Sequence, residues 1–480
     1  MSTFMAINTA LKGMMAQQTA LDVTSNNIAN ANTDGYTRQR VSMVASSPIS
    51  GLVTDAQLGS GVDVADVTRI RDTFIDYQIR NETSTLEYES TISDTLSNVE
   101  SLFMEPSDTG LNEQLDTFWS AWQDVAATPE SSPVRTVLKE SAVSLTDTIR
   151  QISGQLSDIQ DDIQSQIDLD IKDVNSISGR IAKLNTQIEQ SVTRGETPNN
   201  FMDARDLLVD KLSALGDITI TNLQDGTGKY TGAVEVKLGD LVIVDETDAI
   251  EIDSDDVSSA TITDGSLAGL LHLGGDEDAT DTIQYYINKL NTIAVAIATS
   301  VNDIHATGED LDGASGVDFF VFKDEDGNVI TTESDFTAGN IYVNPDIEDN
   351  VSKIAASHDA DLEGNGDIAR QIGDLKDTRM TYDSTNEVLE NSGTGTITIG
   401  DFYQDMITEL GSRVSEAKSN ISNQQTLVDN LTTKKESNSG VSLDEETANT
   451  VLYQHAFSAC AQIISVMDEM LDTIINNMKA

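Results

Sequence analysis

The residues that could do chemistry are few and scattered. The four histidines are His272, His305, His358 and His455, and none stands one helical turn from another. A zinc peptidase needs two histidines at that spacing with a glutamate beside the first, so this reading fails. Cys460 is the single cysteine, which excludes an internal disulfide framework and a cysteine-rich metal centre. Gly226-Thr227-Gly228-Lys229-Tyr230 shares letters with a phosphate loop. It has tyrosine where the metal-binding serine or threonine must follow the lysine. There is no Gly-x-Ser-x-Gly elbow. Asp359-x-Asp361-x-Glu363-Gly364-Asn365-x-Asp367 is similar to a calcium loop, but Arg370 holds the twelfth place, where such a loop needs a bidentate glutamate. It reads as a plain acidic loop, and Asp324–Asn328 reads as a hairpin turn. The expectation is therefore no enzyme, no cofactor and no metal.

Composition narrows the classes further. The chain has 480 residues, 38% of them apolar and 5% aromatic, with 81 acidic against 28 basic residues and a net charge of −53. A nucleic-acid binder needs a basic footprint, and docking on anionic lipid needs the same. No apolar run of about 18 residues suggests a membrane span, and the N-terminus lacks the basic and apolar blocks of a cleaved secretory signal. Six prolines in the whole chain suit long uninterrupted helices. The charge is uneven: residues 1–80 carry −1, residues 401–480 carry −7 and residues 81–400 carry −45. Strong like charge discourages association. The middle is protected in that way and the ends are not. Either the middle is an ordinary solvated acidic surface, or the ends are meant to be buried against other chains. The acidic residues along 158–173 read as a solvated helix face.

The ends have the pattern of partner helices. Phe4, Ile7, Leu11, Met14, Gln18, Leu21, Ser25 and Ile28 follow at steps of three and four. So do Tyr453, Phe457, Cys460, Ile464, Met467, Leu471, Ile474 and Met478, and the run from Tyr403 to Leu431. This is the seam of a coiled coil. A helix buries such a seam only against another helix, of its own bundle or of a partner. On the seam Cys460 reads as a small packing residue. Ser442 and Glu445 have the spacing of a capping box, and Asp444, Glu445 and Glu446 fill a first turn where the helix dipole favours anions. The Asn-rich stretch Ser25–Tyr36 should end the first helix, with Gly35 supplying a left-handed residue, and lead into an extended segment over 36–44.

Between the ends, helices are predicted over 84–104, 111–127, 134–149, 152–192, 202–215 and 283–304. The apolar positions from Ile152 to Val192 have a period of about 3.6, which suits a nearly straight helix. Trp119 and Trp122 share one helical face as core anchors. Alternation predicts strands at 218–220, 234–238, 241–244 and 250–252, then at 319–322, 329–331 and 341–343. Residues 356–400 read as loop-rich. The fold class is mainly α, with a small inserted β domain. The terminal helices form a coiled coil, beside a long-helix bundle and a β-rich part. The boundaries are 1–45 plus 441–480 for the terminal domain, 46–216 plus 266–440 for the long-helix domain, and 217–265 for the insert.

Leu21-Asp-Val-Thr-Ser25-Asn26-Asn27-Ile28-Ala29-Asn30-Ala-Asn-Thr33-Asp-Gly35-Tyr36 resembles the signature of the bacterial flagellar rod, hook and hook-junction proteins. Gly35-Tyr36-Thr37-Arg38-Gln39 is similar to the version in their hook–filament junction branch. Ser439-Gly-Val-Ser-Leu-Asp444-Glu445-Glu446 and Ile464–Ile475 resemble that branch's C-terminus, and Phe319-Phe320 and Asn340–Pro345 are shorter matches. The resemblance implies a structural protein whose paired terminal helices lie in the inner tube of the axial filament, with the helical domain and the insert outside. Ile7, Leu11, Met14, Leu21, Ile28, Tyr453, Phe457, Ile464, Met467, Leu471, Ile474 and Met478 would make the assembly contacts. It also implies self-association in a ring, contact with the flagellar hook protein and the second hook–filament junction protein, and an export chaperone on the C-terminal helix. Secretion through the flagellar type III apparatus would place it outside the cell. A second, outermost insert is common in the family, and this chain's single β block does not supply one. The alternatives are another axial protein (hook or distal rod), a coiled-coil adhesin, or a ligand-binding insert.

Overall fold

The computed structural model describes residues 2–50, 57–103, 110–275, 281–324, 326–359, 364–384, 387–391 and 395–477. In chain order the elements are α1 (Ser2–Ala29), β1 (Gln39–Ala45), β2 (Ile49–Ser50), β3 (Gln57–Leu58), β4 (Val62–Arg69), α2 (Thr73–Phe103), α3 (Leu111–Ala127), α4 (Ser132–Thr193) and α5 (Asn199–Leu215). There follow β5 (Ile218–Gln224), β6 (Tyr230–Leu238), β7 (Leu241–Asp245), β8 (Asp248–Ala249), α6 (Ser254–Ser259), α7 (Ser266–Leu273) and α8 (Ile283–His305). The rest is β9 (Phe320–Lys323), β10 (Val329–Ile330), β11 (Ile341–Val343), α9 (Pro345–Asp349), α10 (Asp367–Gly373), β12 (Thr381–Asp383), β13 (Val388–Glu390), α11 (Ile399–Ser439) and α12 (Leu443–Asn477). The chain is mainly helical with small antiparallel sheets, as its pattern predicts.

Two compact units emerge. The first holds residues 1–87, 170–266 and 422–480, and the second holds 88–169 and 267–421. In the first, α1 lies along α12 and against the antiparallel pair β1–β4. The sheet order is β5-β6-β7-β8, all antiparallel. The letters shared with a phosphate loop form the β5–β6 turn. Asp225 Oδ1 accepts the amides of Thr227 (2.8 Å) and Lys229 (3.0 Å), and Gly228 takes φ +81°.

In the second unit α3, α8 and α10 pack together beside the sheet β10-β9-β11. Trp119 and Trp122 are both buried, with Phe118, Phe319 and Phe320, and the neighbouring rings of this cluster stand 4.9–6.4 Å apart. His305 is fully buried against Trp122 and Phe319. It accepts the Ala355 amide on Nε2 (2.8 Å), so its proton sits on Nδ1 and is donated to the Val317 carbonyl (2.5 Å). Asp324 to Asn328 makes the β9–β10 turn, with Gly327 at φ +83°. Of the loop similar to a calcium site, Asp361 and Glu363 lie outside the described residues. Its Asp367 accepts His358 Nδ1 at 2.9 Å.

Several elements depart from the sequence pattern, each for a physical reason. The helices expected at 134–149 and 152–192 are one helix, α4, of 62 residues. Leu138, Ala142, Leu145, Ile149, Ile152 and Leu156 form one unbroken buried stripe, and no proline stands between Pro133 and Pro198. α2 begins eleven residues before its predicted start, at Thr73, because Asp72 Oδ1 accepts the amides of Phe74 and Ile75 as an N-cap does. The strand expected at 250–252 is absent. Asn175 of α4 takes both backbone groups of Ile252, accepting its amide at 3.0 Å and donating to its carbonyl at 2.8 Å. A side-chain amide thus replaces the neighbouring strand. Residues 356–400, expected as loop, contain α10 and the pair β12–β13.

Candidate assembly interface

The Asn-rich segment and the Asp-Glu-Glu segment stand more than 400 residues apart in sequence and meet in one clasp. Asn27 is buried at the end of α1. Its side chain holds the first residue of β1 as a strand partner would. Oδ1 accepts the Gln39 amide (3.0 Å) and Nδ2 donates to the Gln39 carbonyl (2.9 Å). Nδ2 also reaches Glu446 Oε2 at 3.3 Å, and Tyr36 donates its hydroxyl to Asn27 Oδ1 at 2.8 Å. Asn26 Nδ2 donates to the Tyr36 hydroxyl (3.2 Å), and Asn30 donates back to the Asn26 carbonyl (3.0 Å) and Oδ1 (2.9 Å). Thr33 donates to Asn30. Gly35 turns the chain at φ +76°, and a Cβ there would meet Leu207 Cβ at 3.0 Å. Only glycine takes that conformation freely.

Glu446 is 2% exposed, yet it is paired. Arg38 Nε donates to its Oε1 at 2.7 Å, Arg38 NH1 donates to Glu445 at 2.8 Å, and the Arg38 amide bonds the Ser439 carbonyl at 3.1 Å. The first turn of α12 is thereby tied to the segment that follows α1. The capping box expected at Ser442 is incomplete. The Glu445 amide stands 3.5 Å from the Ser442 hydroxyl, and the Glu445 carboxylate goes to Arg38. Desolvation, then the nearby Asp203 and Glu446 carboxylates, push the Tyr36 phenol up to about 12, so it stays a donor. Asp203 of α5 accepts the Thr37 amide (3.2 Å) and Arg69 (2.9 Å). Ser25, Ala29 and Asp444 are exposed at the edge of the clasp, and Ile28 is half-buried.

Along the helix pair, the large apolar residues are only partly covered. Tyr453, Phe457, Cys460, Ile464, Met467 and Leu471 are half-buried on α12, and Ile474 is 48% exposed. Met478 lies outside the described residues. On α1, Ile7, Met14 and Leu21 are half-buried and Leu11 is 36% exposed. The fully buried residues of α1 are smaller: Ala10, Ala16, Ala20, Thr24 and Asn27. α12 passes close to Gly13, where a Cβ would stand 3.0 Å from Cys460 Sγ. On its other side Lys12 Nζ pairs with Asp63 (2.9 Å) and bonds Ser46 (3.0 Å) of the β1–β4 hairpin.

The spacing of the seam left a second stripe unread. Leu452, Ile463, Val466 and Met470 are 44–61% exposed, and each stands one position before a residue of the seam. Phe4 and Met15 of α1 are 66% and 60% exposed. Fully burying one such side chain contributes about 1.5–3 kcal/mol, so half-exposed ones each leave roughly 1 kcal/mol unrealised. The signal was there in the steps of three and four, hidden by the stronger run beside it. In sequence Arg38 stands only as part of the motif Gly35–Gln39, and its acidic partners were not legible.

No helix among the described residues is long and apolar enough to cross a membrane, and among them no group of three His, Cys, Asp or Glu could hold a metal ion. Comparison with known proteins agrees with a role in assembly. Residues 7–37 match the family described as flagella basal body rod protein, and residues 436–478 match the C-terminal family of flagellar basal body rod FlgEFG proteins. Residues 96–320 match the helical domain of flagellar hook-associated protein FlgK. The flagellar hook-associated protein 1 of Bacillus subtilis (strain 168) is 32% identical, over 99% of both chains. That of Salmonella typhimurium is 26% identical, over 98% of this chain and 99% of its own. Among solved structures, the flagellar hook junction protein FlgK from Burkholderia pseudomallei matches with a TM-score of 0.59 at 15% identity. The match covers 75% of this chain and all of that one, a likeness of fold. Both ends are those of a flagellar axial protein, a structural class. Within that class the chain belongs to the flagellar hook-associated protein 1 family, and it is a structural component of the bacterial flagellum.

Proposed function

We propose that this chain joins hook to filament, standing as a ring of like subunits at the hook–filament junction. The observation that carries the reading is the half-covered helix pair: α1 and α12 cover each other on one side and leave Leu452, Ile463, Val466 and Met470 open on the other. The half-buried seam (Ile7, Met14, Leu21, Ile28, Tyr453, Phe457, Ile464, Met467, Leu471) completes the pair within one subunit, and the open stripe with Leu11 and Ile474 meets its neighbours. The clasp at Asn27, Tyr36, Arg38 and Glu446 sets the angle at which the pair leaves the rest of the chain. The division into 1–45 plus 441–480, 46–216 plus 266–440, and 217–265 is part of this proposal, with the terminal pieces innermost.

The chain would touch the hook protein on one side and the second junction protein on the other, and act without catalysis. A seam this apolar needs cover before assembly, which a chaperone on α12 would give. Export through the flagellar apparatus would place the ring outside the cell. The test is Val466→Asp combined with Met470→Asp, both exposed positions. The expected result is an unchanged circular-dichroism spectrum and loss of filaments from hook tips by electron microscopy. Filaments attached as in the parent strain would overturn the reading.

A further inference from the structure

Copies of a chain with charge −53 repel one another, so a ring needs local patches where the sign reverses. At physiological salt, charges are screened beyond about 8 Å, and the contact patch then decides. A groove of that kind in the first unit, of 570 Å³, lies between α2, α5 and the face of β5 and β6. Arg69, Arg71, Arg80 and Arg205 line it, against Asp76 and Asp206. Three of these arginines have carboxylate partners. Arg205 is 5% exposed, and its hydrogen bonds go to neutral acceptors: Asn185 (2.9 Å), the Gly232 carbonyl (2.8 Å) and the Tyr230 hydroxyl (3.0 Å). Its charge is left to act on the groove. Tyr77 on the rim is 57% exposed, and Phe74, one turn before it, is 65% exposed. Rigid aromatic side chains of this kind anchor interfaces.

α4 carries the complementary face. Asp158, Asp162, Ser165 and Leu169 lie on one helical stripe flanked by Asp161 and Asp168, and all six are exposed. Among the described residues, Asp158, Asp161 and Asp162 make no ion pair, and Leu169 is 53% exposed. We infer that the arginine-lined groove of one copy receives the acidic 158–169 face of α4 from a second copy. The contact joins two different patches, so it is head-to-tail and can close a ring. The charges choose the partner face, and the exposed apolar residues (Leu169 against Tyr77) supply contact area. This rests on the proposed self-association and adds the surface it uses.

The test is cysteine cross-linking between full-length chains in a Cys460→Ala background. Tyr77→Cys protein is mixed with Leu169→Cys protein and assembled on hooks, with assembly scored by electron microscopy. Tyr77→Cys with Val137→Cys, an exposed position elsewhere on α4, is the control. The expected result is a dimer band at least fivefold above the control, falling at least fivefold when the Leu169→Cys copy also carries Asp158→Lys and Asp162→Lys. Rings that assemble with no cross-link above the control overturn the inference and leave the junction reading standing. A cross-link insensitive to the two lysines overturns the electrostatic argument. Failure of parent and variants alike to assemble removes both.

Discussion

Replacing Glu446 with alanine should free the last helix and leave the rest of the chain folded. The carboxylate is 2% exposed and accepts from Arg38 Nε at 2.7 Å and from Asn27 Nδ2 at 3.3 Å. A hydrogen bond between charged groups contributes about 1.5–3 kcal/mol, and the longer bond to a neutral amide about 1 kcal/mol. An anion in the first turn of a helix adds about 0.3–1 kcal/mol. Arg38 keeps its contact with Glu445, whose side chain is 63% exposed, so part of the loss is recovered. The net cost is about 3 kcal/mol. Beyond Glu446 no described residue of α12 is fully buried, so only the half-buried seam against α1 then holds the helix. At about 1.4 kcal/mol per tenfold, its open state should become roughly 100-fold more populated. Hydrogen exchange on the intact monomer reads this directly. Amides over 447–475 should exchange roughly 100-fold faster while those of α8 do not change. Glu445→Ala, at an exposed pair, should change α12 by no more than about fivefold. Unaltered exchange in α12, or equal acceleration in α8, would refute the reasoning.

Two further outcomes test the packing. Gly13→Ala should weaken α12 protection by roughly 1 kcal/mol, because its Cβ would stand 3.0 Å from Cys460 Sγ. Adding Cys460→Ala should restore it, whereas additive losses in the double-mutant cycle would show that the two sites do not meet. Burial holds His305 at about 4, below the ordinary histidine value near 6.5. The folded form is neutral where the unfolded chain already binds a proton. Stability should therefore be full above about pH 6.5 and fall as acid is added down to about pH 4, by roughly 3 kcal/mol in all. Urea denaturation at pH 7 and pH 4.5 should show a loss for the parent that is about 2–3 kcal/mol smaller in His305→Gln, and equal losses would refute it.

The architecture was largely legible because periodicity is local. Steps of three and four marked α1, α11 and α12, alternation marked β5 to β7, and the Asn-rich run marked where α1 stops. At three places a side-chain amide stands where a strand partner would. Asn175 displaces the strand at 250–252, Asn27 serves as the partner of Gln39, and Asn302 accepts the Phe319 and Phe320 amides at 2.8 and 2.9 Å. A side-chain amide has the same donor and acceptor as a peptide unit. It can therefore end or replace a strand from anywhere in the chain, and no spacing rule announces it.

Residue order alone determined that this chain has long helices, a small β block and apolar stripes at both ends. Tertiary structure decided which stripe lies inside. On α1 the small residues Ala10, Ala16 and Ala20 are covered while Leu11 stays open, because two helix backbones approach closely only where side chains are short. It also decided that Asn27 and Glu446, 419 residues apart, share one clasp. Sequence spacing encodes which side chains share a face, whereas the neighbour that face meets is set by the path of the whole chain.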